Sequence, residues 1–251
     1  MRIALCSLLA CGLLPAQELK VWSEFQRIDP FGEVVAVDRV EHPREILSPA
    51  VARNAFVSFH VAVTVPENTP SFLYLQQNPE WLKITVYKEE FHQTPGGWIP
   101  DALTQVSAPC TIILPEPNPI PGQTTVVYWM DVWVPEQTPL GRMRLQAVLK
   151  SGELWIVYPM EMRVVDAVTP KIGRVAGELP PITARADAAT KPVQTPGLPH
   201  VCVRQMIRRN AIQDRALASA LKLQLPAPPP ELGAEGYLKV RDSLFKSRPR
   251  P

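Results

Sequence analysis

The stretch from Thr124 to Asp166, TTVVYWMDVWVPEQTPLGRMRLQAVLKSGELWIVYPMEMRVVD, constrains the fold of this chain more than any other, because it holds three strand-like runs divided by two turn signals. The first run is rich in β-branched and aromatic residues (Val126, Val127, Tyr128, Trp129, Val132, Trp133, Val134) and is stopped by Pro135 and by Pro139 to Gly141. The next alternates: Met143, Leu145, Ala147 and Leu149 fall to one side, Arg142, Arg144, Gln146 and Val148 to the other. Period two means a strand with one buried face. The segment reads as the closing strands of an antiparallel β-sandwich, and it holds no nucleophile, metal cluster or phosphate loop.

Upstream, strand signals recur at Val21 to Ile28, Glu33 to Val40, Ala55 to Val65, Leu82 to Phe91 and Cys110 to Leu114. In AFVSFHVAVTV the set Ala55, Val57, Phe59, Val61, Val63 and Val65 is the core face, opposite Phe56, Ser58, His60, Ala62 and Thr64. Pro66, Pro70, Pro79, Pro95, Pro100, Pro109, Pro115, Pro117, Pro119 and Pro121 fall between the expected strands, where a missing N–H costs no ladder bond. About eight or nine short strands with no amphipathic helix between them predict an all-β, immunoglobulin-like antiparallel β-sandwich over residues 17–168.

Beyond that point the composition changes. Residues 169–200 have the Pro-rich character of a linker, and 201–225 carry helical spacing, with Val203, Ile207 and Ala211 on one stripe and Leu217, Leu221 and Leu225 on another. Pro226 to Pro230 end that helix, and residues 226–251 read as a disordered basic tail, so the C-terminal extension is expected to be mostly disordered around one short helix. Residues 17–169 contain 11 Lys/Arg and 18 Asp/Glu, a balance of −7, whereas residues 170–251 contain 14 and 6, a balance of +8. The acidic surface nearest to the basic tail is its own domain.

The N-terminus reads as a leader. Arg2 is a minimal positive region, Ile3 to Leu14 is an apolar run, and Ala16 offers a cleavage point, so residues 1–16 are expected to be a signal peptide and the mature protein to be secreted or periplasmic. Leu8-Leu9-Ala10-Cys11 supports a second reading, a lipobox with lipidation at Cys11 and an envelope anchor. Spanning a bilayer as a helix takes roughly 20 apolar residues, and no transmembrane segment is expected. An export signal disfavours nucleic acid as a partner. After cleavage, Cys110 and Cys202 remain, either as a disulfide or as two separate thiols with Cys110 a small buried hydrophobe.

Three signatures resemble a known family. Arg53-Asn54-Ala55-Phe56-Val57-Ser58-Phe59-His60-Val61 resembles the R-N-E-x-x-x-F-Q-hydrophobic strand of the N-terminal β-sandwich in glycoside hydrolase family 123 and its relatives. Trp98-Ile99-Pro100-Asp101-Ala102-Leu103 resembles the P-D-x-L turn of that domain, and DVWVPEQTPLGRMR from Asp131 resembles its D-hydrophobic-x-V-P-x-x-x-P-x-G-x-Y-x-G strand pair. Ala55, His60 and Met143 stand where the family carries Glu, Gln and Tyr. The resemblance covers about residues 20–168. In that family the sandwich precedes a catalytic (β/α)₈ barrel that hydrolyses N-acetylhexosaminides, and such a barrel needs roughly 200 residues or more. Only 85 residues follow Asp166, so no catalytic residue is carried over.

Other chemistry is sparse. Glu89-Glu90 with His92 is the best metal-looking or acid/base cluster, with His60 as a conceivable third ligand, but solvated charge is the more ordinary fate of such residues. Neither a G-x-S-x-G elbow nor a Gly-rich phosphate loop is present. No catalytic residue, cofactor or metal is expected. Of the six tryptophans, Trp129 and Trp133 are expected in the core, and Trp98, after Gly96-Gly97, is the candidate ligand contact on a turn. The expectation is a non-catalytic extracytoplasmic binding module, with glycan or an envelope protein as partner. The alternative is a structural subunit whose basic C-terminal helix docks on a partner protein or on the sandwich's own exposed edge, and a glycosidase remnant stands third.

Overall fold

The computed structural model describes residues 17–39, 49–78, 81–170 and 201–222. Among the described residues eleven strands form two sheets: β1 (Glu18–Ser23), β2 (Ala50–Arg53), β3 (Ala55–Thr64), β4 (Ser71–Asn78), β5 (Lys83–Thr94), β6 (Gly97–Val106), β7 (Cys110–Ile112), β8 (Thr125–Val134), β9 (Gly141–Ser151), β10 (Leu154–Val168) and β11 (Val201–Cys202). One helix, α1 (Val203–Ala220), completes the described elements. The six-stranded sheet has the order β1-β3-β8-β5-β6-β11 and the five-stranded sheet β2-β10-β9-β4-β7. Every pairing is antiparallel except β2 with β10. The protein is thus an immunoglobulin-like β-sandwich, as its alternating sequence requires.

The core between the sheets takes Val57, Phe59, Val61, Val63 and Val65 from β3 and the segment after it, and Met143, Leu145, Ala147 and Leu149 from β9. These are the inward sets that the alternation marks. Each of these side chains except Ala147 contributes about 1.5–3 kcal/mol through burial. The sheet-switching step is local: Asn54 has φ +54°, a left-handed conformation that Asn tolerates, between β2 in one sheet and β3 in the other. Arg53 beside it bonds the Asp166 carboxylate at 3.0 Å, and the Asn54 amide donates to the Thr169 carbonyl at 2.7 Å. The Arg-Asn pair therefore fixes a corner where the chain changes sheets.

Several expectations need correction. The expected strand Glu33 to Val40 is an isolated bridge between Val34 and Ile28 followed by a 3-10 turn at Ala36–Asp38, because Asp38 turns inward to chelate Arg27. β1 ends at Ser23, well short of Ile28. β2, β4 and β6 were not expected as strands. Pro100 lies inside β6 at a register shift opposite Glu90 and Phe91, where a bulge accommodates a residue with no N–H. The helix is shorter than its apolar spacing suggests, since Val201 and Cys202 pair with β6 as a short strand. Residues 1–16, 171–200 and 223–251 lie outside the described residues, and with them the expected leader, Cys11, the linker and the basic tail.

Candidate functional site

The two outer faces of the sandwich differ in kind, and the six-stranded sheet accounts for most of the polar chemistry. Every residue of β8 except Trp133 is buried, which explains the unbroken apolar run: a strand covered on both faces has no solvent side to mark with polar residues. Residues 24–38 and α1 supply the second cover. Phe25, Leu103 and Trp129 pack against Val203, Met206 and Ile207 of the helix, and Trp22, Ile28, Ala62 and Val127 form the adjoining cluster.

Beneath this cover lies a network of buried polar groups. Asp131, the only charge in β8, accepts both arms of the Arg209 guanidinium, at 2.9 and 2.6 Å, and the Ser58 hydroxyl at 2.7 Å. The guanidinium also lies 3.7 Å over the Phe56 ring. The Asn210 amide oxygen accepts from Arg209 at 3.1 and 2.9 Å, while its nitrogen donates to Ser58 at 3.0 Å and to the Glu24 carboxylate. Gln213 accepts the Phe56 backbone N–H at 2.9 Å. The basic C-terminal segment does meet the acidic sandwich, through one buried arginine that helical spacing alone left on the polar side. Asp131 was the signal in the sequence: a carboxylate within a run of buried apolar residues must find a cation.

His60 occupies the same layer. Its Nδ1 lies 2.7 Å from the Glu89 carboxylate and its Nε2 3.2 Å from the Glu24 carbonyl, and its ring meets Trp129 edge-on at 5.0 Å. Two acceptors face two ring nitrogens, the arrangement that an imidazolium satisfies by donating twice. Burial by itself lowers the affinity of this imidazole for a proton, but the charge and hydrogen bond of Glu89, the Glu24 carbonyl and the field of Asp38 outweigh it, so the His60 pKa is raised above its ordinary value. Of the expected cluster, Glu89 therefore joins His60, while Glu90 is exposed on the opposite side of β5. Among the described residues no group of three or more His, Cys, Asp or Glu side chains is arranged to hold a metal ion.

The cysteines are two free thiols. Cys110 points into the core, where burial pushes its thiol up to about 11, and the Cys202 sulfur accepts the backbone N–H of Gln205 while the Gln205 side chain bonds the Cys202 backbone. The disulfide alternative is not the one the structure adopts, because each side chain is engaged where it stands.

The five-stranded sheet has an open outer face. Register and alternation set outward rows of Phe72, Tyr74 and Gln76 on β4, of Lys150, Val148, Gln146, Arg144 and Arg142 on β9, and of Trp155, Val157, Pro159, Glu161 and Arg163 on β10. Trp155 is 58 % exposed and stacks on Tyr74 with ring centroids 5.9 Å apart, and the Lys150 ammonium lies 5.3 Å from the Trp155 ring. Gln146 donates to Gln76 at 2.9 Å in the middle of the face, and Arg142 pairs with Glu161 at 2.8 Å at the far end. A flat aromatic surface beside amide donors and acceptors suits the face of a sugar ring and its hydroxyls. Trp98, expected on a turn, is instead half-buried in β6 opposite Gln93. Trp129 is buried as expected, whereas Trp133, expected in the core, is only half-buried and packs against Phe56 at 4.6 Å on the outer side of its sheet. Trp155 is one of six tryptophans that the sequence offers for such a platform, and nothing local singles it out, because its neighbour Tyr74 lies on β4, a strand absent from the sequence expectation. A shallow cleft lined in part by Phe56, Asp214 and Leu217 has a cavity volume of only about 10 Å³, room for a single water.

No family model matches the sequence, and no curated protein does. Among solved structures the chain is similar to a family 123 glycoside hydrolase from Clostridium perfringens, with 12% identity and a TM-score of 0.43 over 62% of this chain and 28% of that one. This chain therefore spans just over a quarter of that enzyme's length. It is also similar to a type I cohesin from Pseudobacteroides cellulosolvens (13% identity, TM-score 0.25, 48% of this chain and 89% of that one) and to the C-terminal domain of an AgI/II polypeptide from Streptococcus agalactiae (10% identity, TM-score 0.33, 60% and 50%). Among the described residues no helix is long and apolar enough to cross a membrane.

Proposed function

We propose that this chain is a non-catalytic glycan-binding module, extracytoplasmic as its leader-like N-terminus suggests, with the open face of the five-stranded sheet as its contact surface. The observation that supports this reading is the exposed Trp155–Tyr74 stack beside Lys150 and the Gln76–Gln146 pair. Such a platform is stiff, because the rings rest on a sheet anchored in the core, so little side-chain entropy remains to be lost on binding. The buried apolar stripe of α1 favours the structural alternative in the form where the helix docks on the sandwich itself, and leaves that stripe unavailable to a separate partner.

The test is retention of the purified chain by polysaccharides in affinity electrophoresis, with Trp155→Ala and Tyr74→Ala as disabling changes and Trp98→Ala as the comparison. Retention weakened at least tenfold by Trp155→Ala and untouched by Trp98→Ala is the expected result. Loss with Trp98→Ala alone would move the site to β6, and no retention by any polysaccharide would refute the reading.

A further inference from the structure

The open face has a charge gradient that the aromatic platform does not require. Lys150 stands beside Trp155, and Arg142, Arg144 and Arg163 gather at the opposite end of the same rows, with Glu161 as the one carboxylate from Arg142 to Lys150 of β9 and from Trp155 to Arg163 of β10; Asp166, exposed further along β10, pairs with Arg53. Glu161 is itself occupied by Arg142 at 2.8 Å, and Glu153 lies in the hairpin turn beyond the aromatic end. The contrast with the rest of the sandwich is marked. Residues 17–169 have a balance of −7, yet four of their 11 Lys/Arg project from this one face. Solubility does not call for that arrangement, since an acidic body is already well charged.

The row from Lys150 to Arg142 on β9 extends about 27 Å at roughly 3.4 Å per residue, with the hydrogen-bonded Gln146 and Gln76 amides midway. A ligand that lay along it would meet in order an aromatic plane with a cation, neutral amides, and a guanidinium cluster. Guanidinium groups bind carboxylate and sulfate oxygens through paired N–H donors. Resting on the glycan-binding reading above, we infer that the ligand is an anionic polysaccharide, bearing uronate carboxylates or sulfate esters, whose sugar rings stack at Trp155 and whose acidic groups pair with Arg144 and Arg163.

The experiment titrates the purified chain with polygalacturonate, dextran sulfate and neutral, uncharged dextran and xyloglucan, each at low and high salt. Three variants accompany it: Trp155→Ala, the pair Arg144→Gln with Arg163→Gln, and the tail triple Lys246→Gln, Arg248→Gln and Arg250→Gln. All changed side chains of the face are exposed, so folding is not at stake, and circular dichroism confirms it. The expected result is binding to an acidic polymer that weakens at least tenfold with the arginine pair and with Trp155→Ala, falls at high salt, and survives the tail triple. Polygalacturonate alone would identify carboxylates as the recognised group, and dextran sulfate alone would identify sulfate. Salt-insensitive binding to a neutral polymer, lost with Trp155→Ala, would overturn the anionic ligand and leave the module reading intact. Binding lost only in the tail triple would overturn the inference by transferring the charge recognition to the tail, and binding to none of the polymers would remove both.

Discussion

At the scale of single residues the chain concentrates its risk in Asp131 and Arg209. Each is buried, and each is satisfied by the other through two hydrogen bonds. Removing one partner strands the other's charge away from water. Asp131→Ala should therefore cost about 3–5 kcal/mol in urea unfolding, while the double change Asp131→Leu with Arg209→Met should recover much of that loss. His60 carries a pH signature of definite sign. Because its folded pKa lies above the unfolded value near 6.5, its contribution to stability is fully present below about pH 6.5 and is lost as pH rises through the folded value. The His60 imidazole should titrate above 6.5 by NMR, and the unfolding midpoint should fall over the same pH range; an imidazole already neutral at pH 6 would contradict the double-donor arrangement. Cys110, with its thiol near 11, should resist alkylation at pH 8 in the folded protein and react once urea unfolds it.

At the scale of elements, α1 behaves as a third layer, over the six-stranded sheet, rather than as an appendage. Val203, Met206, Ile207 and Leu217 are buried, whereas Ile212 on the opposite side is exposed. Met206→Ala should destabilise the fold by about 2–5 kcal/mol and Ile212→Ala by about 0.5 kcal/mol or less, read from denaturant midpoints. Equal effects would mean that the helix does not seal the sheet. An open strand edge explains how a proline is tolerated within β10. Pro159 pairs with Gln146 of β9, but β2 joins the other edge of β10 only from Arg163 onward, so no ladder bond is missing there.

At the scale of the whole molecule, the two outer faces divide the work. One is sealed by α1 and residues 24–38 over a charged network; the other is left open with aromatic and cationic side chains. A sandwich needs only its inner faces buried, so a second covered face adds stability, while side chains on the uncovered one contribute little to it. Trp155→Ala should therefore leave the unfolding midpoint almost unchanged, within about 0.5 kcal/mol, while Trp129→Ala on the sealed face should cost about 3–5 kcal/mol. A large stability loss at Trp155 would show that the stack with Tyr74 is structural.

The sequence by itself determined the sandwich. Period-two alternation in β3 and β9, the continuous apolar run of β8 and the helical spacing after Val203 are local patterns, and each follows from which side chains must leave water. The aromatic face and the polar network were not legible, because both are made by register. His60 meets Glu89 across a sheet, Arg209 reaches Asp131 from 78 positions away, and Tyr74 stacks on Trp155 only because β9 lies between their strands. Sequence spacing records which face of a strand a residue takes, whereas the neighbour it finds there depends on strand order. Strand order is set by the packing of the whole chain, and that is where the tertiary structure decided what the sequence left open.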